Sequence, residues 1–128
     1  MRLILYLAVG GVAGTLARYG IGTWVPTWAG TGFPWGTFII NASGSLLLGF
    51  ALRAFEISPV SPEARALVSV GLCGAFTTFS TFSYETVRLL QDGLWARGAA
   101  YAFGSLAVGL VAVCLGMSLA SATVHAGG

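Results

Sequence analysis

Charged side chains are scarce in this 128-residue sequence: Asp, Glu, Lys and Arg make up 8% of it, and every basic residue is an arginine. Soluble domains contain about a quarter charged residues, so the composition excludes an ordinary soluble domain. The six arginines are spread along the chain and form no basic cluster, which excludes a nucleic-acid-binding surface. Because 56% of the residues are hydrophobic, the sequence predicts a membrane protein.

Residues that build catalytic and metal centres are equally few. The single histidine, His125, lies in a polar stretch over residues 123–128, where we expect it to be solvated. Cys73 and Cys114 fall in apolar segments without a neighbouring histidine, which favours two small buried side chains over a disulfide or a metal site. No pair of residues suggests a nucleophile and its base, so the sequence does not predict an enzyme.

The hydrophobic residues fall into four segments, each long enough to cross a membrane as a helix of about 20 residues. We expect spans at about 3–24, 35–54, 64–90 and 98–122, in a single transmembrane domain over residues 1–128. The fold class is therefore an all-α membrane protein with four transmembrane helices, and the location is the plasma or inner membrane. The protein crosses the lipid several times.

The third segment contains the most unusual stretch, residues 71–85. A continuous helix over the whole segment would be about 42 Å long, against a hydrocarbon core of about 30 Å. Gly71 and Gly74 precede the pair Thr77-Thr78, which predicts a break over residues 74–78. A broken helix leaves backbone carbonyl and N–H groups available to ions. The phenylalanines that follow at a spacing of three suit either core packing or the binding of an anion by ring edges.

Each of the other polar residues in the spans has two interpretations. Asn41 is either a hydrogen-bonding link between helices or a donor facing a pore. Arg18 either extends toward the headgroups or attracts anions to a vestibule. Glu85 pairs with Arg18 or a hydroxyl, caps structure at the membrane interface, or carries protons. Tyr101 and Ser105, four residues apart, share one face of the fourth helix.

Arginines are almost evenly divided between the two ends of such a protein. Four spans place Arg2, Arg53 and Arg65 at one end, and Arg88 and Arg97 at the other. This small difference does not orient the chain by the positive-inside rule. We therefore expect copies in both orientations, which can pair as an antiparallel dimer.

Three blocks of residues resemble the Fluc/CrcB family of fluoride channels, and together they cover most of the chain. They are Gly11-x-x-Gly14-x-x-x-Arg18-Tyr19, Gly36-Thr37-x-x-x-Asn41-x-x-Gly44-x-x-x-x-Gly49, and Gly71-x-x-Gly74-x-x-Thr77-Thr78-Phe79-Ser80-Thr81-Phe82-Ser83-x-Glu85. The third block is the most specific.

The resemblance implies a dual-topology, antiparallel homodimer with two pores, through which fluoride leaves the cell passively and its toxicity is relieved. Phe79, Phe82 and Asn41 match the family's pore residues, and Arg18 matches its vestibule arginine. The carbonyls of Gly74 and Thr77 match the positions that hold a structural Na⁺ at the dimer interface.

The fourth helix adds hydroxyls to the implied pore. Tyr101 and Ser105 match the start of a polar track, whose continuation is open because Gly109 stands where another hydroxyl is expected. A pore for the strongly hydrated fluoride ion has to replace its water with hydrogen bonds. The candidate donors are Asn41, Ser80, Thr81, Tyr101 and Ser105.

Two other functions fit a small four-helix membrane protein. An exporter of lipophilic cations or other small ions would need a carboxylate deep in an early span, whereas the first span here contains Arg18. A non-conducting assembly subunit would use the same polar residues only to join helices.

Overall fold

The computed structural model describes residues 1–126, and the side chain of His125 lies outside the described part. Its helices are α1 (Arg2–Ala29), α2 (Trp35–Ile57), α3 (62–76), α4 (Phe79–Gln91) and α5 (Trp95–Ala126). The third span, Pro62–Gln91, consists of α3 and α4, so the described chain has four helical segments long and apolar enough to cross a membrane. The predicted four-span, all-helical fold with a broken third helix is confirmed.

The helices extend further than hydropathy alone indicates. Helix α1 continues through Pro26 to Ala29, and α5 starts at Trp95 rather than near residue 98. Proline has no backbone N–H, so the helix loses one hydrogen bond at this position. Membrane helices tolerate that loss. The connection between α2 and α3 shrinks to residues 58–61, because Pro62 starts a helix whose N-cap, Ser61, accepts a hydrogen bond from the N–H of Ala64.

Helix α3 lies against α1 along a row of glycines. Most of α3, Ala66–Cys73, is wound as a π-helix, a form that is rare and frequently found at functional sites. A side chain at Gly10 would overlap the carbonyl oxygen of Leu67, and one at Gly14 would overlap that of Leu72. These two backbones therefore touch, and the first half of the third span is fixed closely to α1.

Helices α2 and α5 form the second close pair. A Cβ atom at Gly49 would overlap the Val113 carbonyl, and one at Gly116 would overlap that of Leu46. The contact brings the polar face of α2 opposite the start of α5. Helix α4 packs against α5, and the polar residues of α2, α4 and α5 therefore meet in one region.

Candidate functional site

The break in the third span is two residues long and lies near its middle. Thr77 and Thr78 are extended, with φ/ψ of −78/156° and −147/114°, whereas Gly74 is still helical at −65/−37°. The break is thus shorter than the predicted 74–78 stretch, because the chain leaves the helix only after Phe76. Non-helical backbone at this depth requires polar partners from the protein.

Asn41 supplies those partners from α2. Its side-chain Nδ2 donates to the Thr78 carbonyl at 3.0 Å, and its Oδ1 accepts from the Thr78 N–H at 2.8 Å. In a continuous helix the Thr78 N–H would bind the carbonyl of Gly74. The Asn41 side chain takes that N–H instead, so the Gly74 carbonyl loses its helical partner.

Thr78 also forms the N-cap of α4. Its Oγ1 accepts a hydrogen bond from the N–H of Thr81 at 3.2 Å. That N–H would otherwise bind the Thr77 carbonyl, which therefore also lacks its helical partner. The carbonyls of Gly74 and Thr77 are the two predicted to hold a cation. Each loses its helical N–H donor, because Asn41 accepts from the Thr78 N–H and the Thr78 hydroxyl accepts from the Thr81 N–H.

The Thr77 side chain is fixed as well. Its Oγ1 donates to the Cys73 carbonyl at 3.0 Å, and the Thr77 N–H donates to the same carbonyl at 3.0 Å. The methyl group of Thr77 then lies against Gly44 of α2, where a Cβ atom would overlap it. The conformation of the break therefore depends on a glycine at position 44.

Four of the predicted pore residues line one groove of about 180 Å³: Asn41, Phe79, Phe82 and Ser105. The Phe79 and Phe82 rings lie with centroids 5.9 Å apart. The Ser105 hydroxyl is buried without a hydrogen-bond partner among the described residues, which is costly unless a ligand or water uses it. The groove thus combines two aromatic rings, an amide and an available hydroxyl.

Gly109 lines the same groove, and the Ser45 hydroxyl lies beside it. A Cβ atom at Gly109 would be 3.7 Å from Ser45 Oγ. Helix α2 therefore supplies a hydroxyl at the point where α5 has none. Ser45 follows Asn41 by four residues on one helix face, a spacing visible in the sequence.

The predicted residues Arg18 and Thr81 lie elsewhere, in a cleft of about 440 Å³ between α1, α2 and α4. Arg18 has no ion pair or hydrogen bond within the described residues. Ser80 lines neither space; its Oγ is 3.4 Å from Thr78 Oγ1 and its side chain is exposed.

Glu85 binds two hydroxyls rather than Arg18. Tyr101 donates to Glu85 Oε2 at 2.6 Å, and Thr37 donates to Oε1 at 2.9 Å. Hydrogen bonds from hydroxyls compensate a carboxylate for lost water at this depth. The Tyr101 hydroxyl is therefore already engaged, and an anion that reaches it competes with Glu85. Sequence reasoning missed Thr37, although it precedes Asn41 by four residues on the same face of α2.

Comparison with known proteins gives one consistent result. Residues 5–117 match the family model described as CrcB-like protein, Camphor Resistance (CrcB). The chain is 49% identical to a "Fluoride-specific ion channel FluC" of Thermus thermophilus, over 94% of each chain. It is 46% identical to a protein of the same name from Acidobacterium capsulatum, over 88% of this chain and 91% of that one.

Proposed function

The chain belongs to the CrcB-like family, and from this premise we propose that it is a fluoride-selective channel through which fluoride leaves the cell passively. The main structural support is the groove in which Asn41, Phe79, Phe82 and Ser105 meet. It offers a small anion hydrogen-bond donors and ring edges without a full positive charge. The relatives are named as ion channels, which sets aside the exporter and the assembly subunit.

Selectivity follows from the groups available in the groove. Fluoride is small and strongly hydrated, so donors must replace its water at short distance. Asn41 uses one amide proton on the Thr78 carbonyl and retains a second, and the Ser105 hydroxyl has no partner among the described residues. Aromatic edges have positive partial charge and complete the shell. A larger anion such as chloride fits a narrow path of this kind less well.

A neutral groove also permits rapid release. Ions pass through a channel only if each site binds them strongly enough for them to enter and weakly enough for them to leave. Arg18 lies outside the groove, in the cleft with Thr81 and Glu85. Its charge attracts anions to the protein without holding them in the groove.

Na⁺ is the cofactor that we propose for the break. Carbonyl oxygens suit hard cations, and Gly74 and Thr77 present two that have lost their helical donors to Asn41 and Thr78. The residues present therefore fit such an ion. When bound, it would supply positive charge and join backbone oxygens at the break.

The partner that we propose is a second copy of the chain in the opposite orientation. Gly74 is exposed, and Phe79 is 79% exposed, beside extended backbone near the middle of a membrane span. Lipid does not satisfy backbone at that depth, so protein has to cover this face. The even distribution of arginines between the two ends supports an antiparallel arrangement.

Fluoride efflux from liposomes tests the function. Purified protein in vesicles loaded with potassium fluoride or potassium chloride, with valinomycin to balance charge, should release fluoride much faster than chloride. Equal rates for the two anions would refute selectivity, and no release of either would refute the channel.

A pair of phenylalanine variants tests the groove itself. Phe79→Ala removes a ring from the groove and should slow fluoride release strongly. Phe103→Ala removes a ring that is 73% exposed on α5 and lines no part of the groove, so its rate should match the unmodified protein. Equal rates for the two variants would show that the Phe79 ring only packs against its neighbours.

A further inference from the structure

One aromatic residue of the loop between α1 and α2 contacts the buried residue Tyr101 of the candidate site. Phe33 lies in this loop, and its ring packs edge-on against Tyr101 with centroids 5.4 Å apart and planes at 86°. On its other side Tyr101 contacts Phe82, with centroids 5.2 Å apart. Tyr101 is completely buried, held between a groove residue and a loop residue.

The loop that contains Phe33 is fixed by two features. Gly30 turns the chain at the end of α1 with φ of 80°, a conformation that favours glycine. Arg97 Nη1 donates to the Gly32 carbonyl at 3.3 Å. Because Arg97 precedes Tyr101 by four residues, the same face of α5 contacts the loop twice.

We propose that Phe33 is a positioning residue: the loop holds the Tyr101 ring so that its hydroxyl stays on Glu85. In this way the loop controls how fast an anion passes the two hydroxyls, of Thr37 and Tyr101, that bind Glu85. The proposal rests on the proposed channel function. Phe33 does not line the groove, and of its ring contacts with Trp35, Phe38 and Tyr101 only Tyr101 belongs to the candidate site, so Phe33 acts through Tyr101. An edge-on ring contact restrains a tyrosine ring more strongly than an aliphatic side chain of similar size does.

Efflux rates from liposomes give the first test. Phe33→Ala should slow fluoride release by about two- to tenfold, the scale of a single aromatic pair contact, because a mobile Tyr101 hydroxyl is no longer held where a passing anion can take it from Glu85. Phe33→Tyr keeps the ring and should restore the rate, and Phe103→Ala is the matched control on an exposed ring. In a Tyr101→Phe background, Phe33→Ala should have no additional effect, because the hydroxyl that it positions is already gone. A wild-type rate for Phe33→Ala, or independent effects that multiply in the double variant, would overturn the proposal.

A spectroscopic test separates this proposal from the function. Protein labelled with 3-fluorotyrosine gives a ¹⁹F resonance for Tyr101, assigned by its loss in Tyr101→Phe. Phe33→Ala should broaden this resonance in addition to removing the ring-current shift from Phe33, and Phe103→Ala should not broaden it. An unchanged linewidth refutes the positioning role even in a protein that conducts fluoride. A broadened resonance supports the role even if the liposome assay shows no flux, in which case only the channel function and the control of rate fail.

Discussion

Replacing Gly44 with alanine perturbs the break without changing any residue proposed to bind fluoride or Na⁺. The new Cβ atom would overlap the methyl group of Thr77 and would lie 3.0 Å from Cδ1 of Phe76. Thr77 cannot rotate its methyl away freely, because its Oγ1 donates to the Cys73 carbonyl. The extended backbone of Thr77 and Thr78 must therefore shift, and the two available carbonyls shift with it.

The magnitude follows from two opposing effects. Forcing an additional carbon into a packed contact costs about 1–3 kcal/mol. Replacing glycine with alanine within a helix gains up to about 1 kcal/mol. With the full gain subtracted, we expect Gly44→Ala to destabilise the folded protein by up to about 2 kcal/mol. Gly11→Ala, in α1, is the matched control, because a Cβ atom there meets nothing within 4 Å and only the gain applies.

A second substitution makes this test specific to the overlap. Thr77→Ser removes the methyl group and keeps the hydroxyl that binds Cys73, so the double variant Gly44→Ala/Thr77→Ser should recover most of the lost stability. Stability is measured by thermal unfolding in detergent, in sodium and in an organic cation such as N-methylglucamine. Sodium should protect the unmodified protein more than it protects Gly44→Ala. If Gly44→Ala behaves like Gly11→Ala, or if Thr77→Ser fails to rescue it, the role of Gly44 in fixing the break is wrong.

Two further substitutions test the contacts of α2. Gly116→Ala should prevent close packing of α2 and α5 and lower the yield of folded protein, because its Cβ atom would overlap the Leu46 carbonyl; Gly104→Ala, which meets nothing within 4 Å, should leave the yield unchanged. Asn41→Asp keeps an acceptor for the Thr78 N–H but loses the donor to the Thr78 carbonyl, and it adds negative charge to the groove. Because one hydrogen bond is lost and fluoride is repelled, fluoride efflux should fall by at least about tenfold. An efflux rate close to that of the unmodified protein would show that Asn41 is not part of the ion path.

Hydropathy and length were sufficient to predict four spans, since a long apolar helix is the simplest structure that satisfies its backbone in lipid. The helix ends were less predictable. Helix α1 runs through Pro26 to Ala29, beyond the predicted end near residue 24, and α3 starts at Pro62 rather than at the predicted residue 64. The π-helix over Ala66–Cys73 has no signal in the local sequence, and its backbone packs closely on Gly10 and Gly14 of α1.

Residue types and spacing identified most of the candidate site but not its contacts. The spacing of Tyr101 and Ser105 placed both on one face, yet only the tertiary structure shows that Tyr101 is bound to Glu85 while Ser105 lies in the groove. Likewise, the sequence did not decide whether Glu85 pairs with Arg18 or with a hydroxyl. Which hydroxyl meets which carboxylate depends on how the helices cross, and local sequence contains no measure of that angle.

Asn41 joins the two ion sites that we propose. Its side chain lines the groove with Phe79, and the same amide binds both backbone groups of Thr78. Through the second contact it leaves the Gly74 carbonyl available to a cation. An anion that draws on the Asn41 amide would therefore act on the group that shapes the proposed cation site, and a cation bound at the break would in turn restrain the backbone that this amide binds. If Asn41 has both roles, sodium dependence and fluoride selectivity should change together in variants of the break, whereas variants at Tyr101 should alter fluoride passage alone.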